Sequence, residues 1–145
     1  MILKKTRVEG SGLKELSELV VSLNLSGTRI ANAGLSELKR FPNLRYLNLN
    51  GTQVTDAGLT ALRGNRGLRG LNLADTRLTD VGLQTLHEMK GLSRLELGGT
   101  GVTNCGLNKL KHLKKLDFLD VARTKVTQAG VVNLRTALPN LEIAY

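Results

Sequence analysis

Leu44-Arg45-Tyr46-Leu47-Asn48-Leu49-Asn50-Gly51-Thr52-Gln53-Val54-Thr55-Asp56-Ala57-Gly58-Leu59-Thr60-Ala61-Leu62 decides the architecture, because it returns almost unchanged further along the chain. Its apolar and turn positions reappear 24 residues later as Leu68, Leu71, Leu73, Thr76, Leu78, Thr79, Asp80, Gly82, Leu83 and Leu86, and further copies begin at Leu92 and Leu116. An earlier copy runs from Val20 through Leu23, Leu25, Thr28, Ile30, Gly34, Leu35 and Leu38. A fixed period of this length is the signature of a stacked array, in which each unit buries its apolar face only against its neighbours.

Working outward, the residues from Met1 fit the tail of another unit through Leu3, Thr6, Val8, Gly12, Leu13 and Leu16, at a spacing of 22. Leu141 restarts the pattern 25 residues after Leu116, so both termini are expected to fall inside strands. The resulting division is one domain over 1–145: a partial unit at 1–19, full units at 20–43, 44–67, 68–91, 92–115 and 116–140, and a partial unit at 141–145.

Within a unit the first half alternates apolar and polar residues, which is strand periodicity. The second half spaces its leucines by three, which is helical. Asn32, Asp56, Asp80 and Asn104 stand where an N-cap is wanted, able to accept amide hydrogens of the first turn of their own helices; Gln128 holds that place in the fifth unit. Glycine recurs at residues 12, 34, 58, 82, 106 and 130, where it weakens a helix and so points to close packing between units. Threonine recurs at 6, 28, 52, 76, 100 and 124, where its hydroxyl can satisfy backbone groups of the loop after each strand.

The pattern L-x-x-L-x-L-x-x-T-x-V-T-D-x-G-L-x-x-L resembles leucine-rich repeats, nearest the helix-bearing cysteine-containing type and the similar Thr-Asp-x-Gly-Leu repeats of bacteria. The resemblance covers essentially the whole chain. It implies a right-handed α/β solenoid, a horseshoe with a parallel sheet on the concave face and short helices on the convex face. It also implies recognition of protein partners without naming one. Threonine stands where the cysteine-containing type often has cysteine, which loosens any tie to that type's ubiquitin-ligase receptors; membership of such a receptor, or of a larger enzyme, is a distant alternative.

Composition agrees with a packed core made of small aliphatic groups. Of 145 residues, 41% are hydrophobic, only 3% are aromatic, 16 are glycine, two are proline and none is tryptophan. No apolar run is long enough to cross a bilayer, and Met1–Arg7 lacks a secretory h-region. Cys105 has no second cysteine to pair with. A cytoplasmic location fits these two features.

Parallel strands bring equivalent residues of successive units into columns across the concave face. One column is Ser22, Tyr46, Gly70, Arg94 and Phe118; the next is Asn24, Asn48, Asn72, Glu96 and Asp120; the third is Ser26, Asn50, Ala74, Gly98 and Ala122. From these, Tyr46, Asn48, Asn72, Arg94, Glu96, Phe118 and Asp120 are the candidate partner-binding residues. Aromatic and arginine side chains are the usual anchors of interfaces. The plainer reading is that both rings lie flat across neighbouring strands and shield them.

Glu96 and Asp120 should have backbones about 5 Å apart, close enough to share a proton or a cation. The plainer reading there is a surface pair neutralised by Arg94 and Arg123 on an open face. The formal net charge of +9 raises nucleic acid or an anionic surface as an alternative partner, through the patch Lys109, Lys111, Lys114 and Lys115 with His112, or through the loop column Arg7, Arg29, Arg77 and Lys125. The plainer reading of those charges is a solubilising surface.

Cys105 aligns with Ala33, Ala57, Val81 and Ala129, which places it in a small apolar slot. His87 and His112 stand on neighbouring helices without further ligands at metal spacing. No catalytic set, cofactor motif or metal signature emerges, so the expected function is non-enzymatic. Asn65 interrupts an otherwise apolar column of Phe41, Met89 and Leu113. Solenoid ends that lack a capping segment favour continuation of the chain or self-association.

Overall fold

The computed structural model describes Leu13 and residues 19–145. The expectations placed on Leu3, Thr6, Arg7, Val8, Gly12 and Leu16 lie outside the described residues. Six three-residue strands follow one another across a single parallel sheet in chain order: β1 Ser22–Asn24, β2 Tyr46–Asn48, β3 Gly70–Asn72, β4 Arg94–Glu96, β5 Phe118–Asp120 and β6 Glu142–Ala144. Between them lie short helices: α1 Asn32–Leu35, α2 Asp56–Leu59, α3 Asp80–Leu83, α4 Asn104–Asn108 and α5 Gln128–Ala137. The chain is an open α/β solenoid.

The leucines explain both halves. Leu23, Leu47, Leu71, Leu95 and Leu119 sit at strand centres with 0–2% exposure, and Leu35, Leu59, Leu83 and Leu107 meet them from the helical side with 0–1% exposure. Each buried leucine contributes about 1.5–3 kcal/mol. Because each unit packs its leucines mainly against adjacent units, these contributions add along the stack.

Every strand pair keeps one register: Tyr46 faces Gly70, Gly70 faces Arg94, Arg94 faces Phe118 and Phe118 faces Glu142. The last pair corrects the expected 25-residue step. In the earlier units a 3₁₀ turn closes the helix, with Asn65 N–H bonded to the Leu62 carbonyl and Met89 N–H to the Leu86 carbonyl. The fifth unit closes instead with a full α-turn, Leu138 N–H to the Leu134 carbonyl. A full α-turn takes one residue more than a 3₁₀ turn. The chain gives that residue back before the strand, where Ile143 rather than residue 144 pairs with Leu119. The ladder of parallel hydrogen bonds therefore overrides the spacing of the leucines.

The expected helix caps also need correction. Asn32, Asp56, Asp80 and Asn104 are the first helical residues, and the residue before each is the cap. Their side chains reach forward into the next unit: Thr55, Thr79, Thr103 and Thr127 donate their backbone N–H groups to these Oδ1 atoms at 2.8–3.0 Å. The choice between Asp and Asn then sets what the threonine hydroxyl does. Thr79 and Thr103 donate to the carboxylates of Asp56 and Asp80 at 2.6 Å, and their oxygens accept from Val81 and Cys105 N–H, capping α3 and α4. Thr55 and Thr127 instead accept from the amides of Asn32 and Asn104 at 2.8 Å and make no such cap.

This rung explains the periodic glycine. A Cβ at Gly58, Gly82, Gly106 or Gly130 would collide with the side chain of Asn32, Asp56, Asp80 or Asn104 of the preceding unit. The threonine ladder has the role expected of it. Thr28, Thr52, Thr76 and Thr100 are 3–7% exposed and donate to the carbonyls of Leu25, Leu49, Leu73 and Leu97. Asn65 has an account as well: its buried amide donates to the Leu38 and Phe41 carbonyls of the preceding unit.

Candidate functional site

The sheet face carries little net charge. Its strands and the turns after them contain Asp75, Glu96, Asp120 and Glu142 against Arg94 and Arg123. Gly70 leaves a gap in the first column. Tyr46 leans into it, so that a Cβ at Gly70 would lie 2.8 Å from the ring carbon Cδ1, yet Tyr46 stays 54% exposed. Across the gap stands Arg94, whose guanidinium carbon lies 3.9 Å from the centre of the Phe118 ring and whose Nε is 2.8 Å from Glu96 Oε1. Tyr46, Asn48, Gly70, Asn72, Arg94 and Glu96 thereby line a shallow depression of about 250 Å³.

Phe118 and Asp120 lie beyond this depression, on the far side of Arg94. Tyr46 lies over the neighbouring Gly70, as the plainer reading has it, whereas Phe118 is itself overlaid by Arg94. Glu96 and Asp120 occupy facing register positions, but their carboxylates turn to different partners. Glu96 accepts from the Asn72 amide, while Asp120 accepts from Ala122 N–H at 2.8 Å. The expected neutralisation is half right, because Arg94 does pair with Glu96. Arg123 pairs instead with Asp75 at 3.0 Å, two units away.

That second pairing comes from a backbone feature. Gly27, Gly51, Asp75, Gly99 and Arg123 occupy one position in successive turns, and all five have φ between 52° and 70°. Asp75 and Arg123 accept a left-handed conformation that glycine adopts freely, and Gly99 between them has no side chain to keep them apart. Hydrogen bonding to Asp75 and its negative charge raise the Arg123 pKa above its ordinary value.

Within the second column the asparagine oxygens are occupied. Asn24, Asn48 and Asn72 accept from the N–H of Ser26, Asn50 and Ala74. This fastens each strand to its turn and leaves the Asn48 amide hydrogens directed at the open face.

The helical side has the opposite character. Residues 36–43, 60–67, 84–91, 108–115 and 132–139 hold ten of the 21 Lys and Arg residues but only two of the 12 acids, Glu37 and Glu88. Both acids are already paired, Glu37 with Arg40 at 3.9 Å and Glu88 with Arg66 at 2.7 Å. The sequence patch divides here. Lys109 and Lys111 line a cavity of about 570 Å³ with His87 and His112, while Lys114 donates to the Ala137 carbonyl and Lys115 is exposed elsewhere. Arg63, which also lines that cavity, is a residue the patch omitted. Its signal was the 24-residue column Lys39, Arg63, His87, Lys111 and Arg135.

The rings of His87 and His112 stand 4.2 Å apart. Desolvation, then the neighbouring His87, and more weakly Lys90 lower the His112 pKa below 6.5, against the opposing pull of the Lys109 and Leu86 carbonyls. Cys105 is exposed, not set in an apolar slot, because its position points outward at the start of α4, as Val81 does at 66% exposure in α3. Among the described residues no helix is long and apolar enough to cross a membrane, and no group of three or more His, Cys, Asp or Glu could hold a metal ion.

Repeating units of strand, threonine turn and short helix, stacked through glycine and Asx rungs, define the class of open α/β solenoids. The chain is a leucine-rich-repeat protein: leucine-rich-repeat family profiles match residues 42–102 and 18–39. Among solved structures it is similar to an internalin of Listeria monocytogenes, with a TM-score of 0.74, 20% identity and 88% of this chain covered. Internalin C2 of the same organism gives 0.64, 23% and 96%, and a leucine-rich-repeat protein of Leptospira interrogans gives 0.62, 21% and 88%. The chain spans 35%, 66% and 38% of these three chains, respectively. At these identities the likeness establishes the fold. No curated protein matches the chain in sequence.

Proposed function

We propose that this chain is a non-enzymatic recognition module that binds a protein partner on its sheet face, at the depression floored by Gly70. The observation that carries the reading is the exposed Tyr46 ring, which lines with Arg94 a depression of about 250 Å³. Tyrosine and arginine flanking a recess are the residue types on which binding energy concentrates. The Asn48 amide and the free donors of Arg94 suit backbone carbonyls or an acidic side chain of the partner. An open face with its carboxylates engaged by Arg94, Asn72 and Ala122 suits binding better than catalysis, which needs a water-excluding site.

The test fills the recess. A Gly70→Leu chain and a Tyr46→Ala chain, each checked for native circular dichroism, are compared with the native chain in pull-downs from nuclease-treated lysate. Loss of the same specific protein with both variants supports the reading. Capture that is unchanged by both, or that depends on nucleic acid and fades with added salt, sinks it and moves the function to the basic side.

A further inference from the structure

The cavity on the helical side is built across three units, and its charged lining is mostly cationic. Arg63 enters from the second full unit, His87 and Glu88 from the third, and Lys109, Lys111 and His112 from the fourth. Its volume of about 570 Å³ falls within the range of small-molecule sites. Glu88 is the only carboxylate in the lining, and Arg66 outside the cavity holds it at 2.7 Å. No cation of the lining is therefore neutralised by an acid of the described residues.

The two lysines are held in place by neutral acceptors. Lys109 Nζ donates to the Asp80 carbonyl at 2.8 Å and Lys111 Nζ to Asn133 Oδ1 at 3.0 Å. Neither acceptor residue lines the cavity, and a bond to a neutral oxygen is one that a phosphoryl dianion can outcompete for an ammonium donor. The His112 pKa is lowered first by desolvation, to which the neighbouring His87 and, more weakly, Lys90 add.

A metal ion is the first thought for two histidine rings 4.2 Å apart, but electrostatics decides against it. Lys109, Lys111 and Arg63 would repel a dication and attract a dianion, and no third ligand completes a coordination set. We infer that this cavity binds a small phosphate ester, its phosphoryl oxygens accepting from Arg63, Lys109 and Lys111. Charge-assisted hydrogen bonds from a guanidinium and two ammoniums are the donors that phosphate oxygens prefer. This inference is independent of the sheet-face reading, since the two sites lie on opposite sides of the solenoid.

The experiment titrates the whole chain with sodium pyrophosphate by calorimetry at constant ionic strength. The native chain is compared with Arg63→Ala/Lys111→Ala and with Lys114→Ala/Lys115→Ala, which removes the same charge outside the cavity. Saturable binding is expected in the native chain, weakened at least about tenfold by the first pair and within about twofold of native in the second. In parallel, the ring resonances of His87 and His112 in the unsubstituted protein should shift on titration. Absence of saturable binding, equal weakening by both pairs, or silent histidines during binding would each overturn the proposal.

Discussion

The rung between units and the sheet face are built at the same 24-residue interval, yet they treat their residues in opposite ways. At the rung, chemistry repeats: Asx of one unit, glycine and threonine of the next, from Asn32–Gly58–Thr55 to Asn104–Gly130–Thr127. On the sheet face, geometry repeats but chemistry does not, since one column runs from serine through tyrosine, glycine and arginine to phenylalanine. A position that touches the next copy of the repeat has the same neighbour each time and so keeps the same solution. A position that faces outward is free of that constraint, and there the molecule becomes individual.

The sharpest way to break this contrast is to put bulk into a rung. Gly106→Val drives side-chain carbons into Asp80 and Leu83, and should cost about 3 kcal/mol in urea denaturation. An equal substitution without loss would mean that the close approach of units is not needed. Next in size, Asp80→Ala removes both acceptors of Thr103 and should cost about 2 kcal/mol.

Asp80→Asn sharpens the comparison, because the asparagine amide would take the Thr103 oxygen away from Cys105 N–H. It should cost about 1 kcal/mol, the worth of a helix cap, while Asn32→Asp should recover a similar amount by freeing Thr55 to cap α2. Equal stability of both variants with the native chain would show that the threonine cap has no weight.

On the sheet side, Asp75→Gly/Arg123→Gly exchanges an exposed ion pair for two relaxed left-handed residues. Solvent screens the exposed pair while both strained backbones relax, so the double variant should melt no lower than the native chain. Tyr46→Ala should move stability by less than about 0.5 kcal/mol while abolishing partner capture.

The smallest effect concerns His112. Its folded pKa lies below the unfolded value of 6.5, so the unfolded chain takes up the proton first. The stability held above pH 6.5 is lost as pH falls from there through the folded pKa. Melting temperature should drop slightly over that interval in the native chain and stay flatter in His112→Gln.

Much of this was legible in the sequence because a repeat protein states its interior several times over. Alternation gave the strands, the threonine column its buried hydroxyls, and residue spacing the four strand registers from β1 to β5. The misreadings share a cause. Sequence proximity suggests that Asp56 caps its own helix, whereas its partner Thr79 lies 23 residues on. The small apolar column of Cys105 suggests an interior slot, yet small residues also suit an outward position, and Cys105 is exposed. The Arg63–His87–Lys111 column makes no local cluster, unlike the dense run at Lys109–Lys115, and only the stacking of units sets those three beside one cavity.

By itself, then, the sequence determined the repeat, the strand columns, the buried leucines and the threonine ladder, since each follows from periodicity and from burying apolar groups against an identical neighbour. Tertiary structure alone decided the direction of the Asx side chains, the slip that returns β6 to register, the pairing of Asp75 with Arg123 across Gly99, and the cavity between units. Those depend on distances between residues 23 to 48 apart in the chain, which no local pattern encodes and which stacking fixes only when all units are in place.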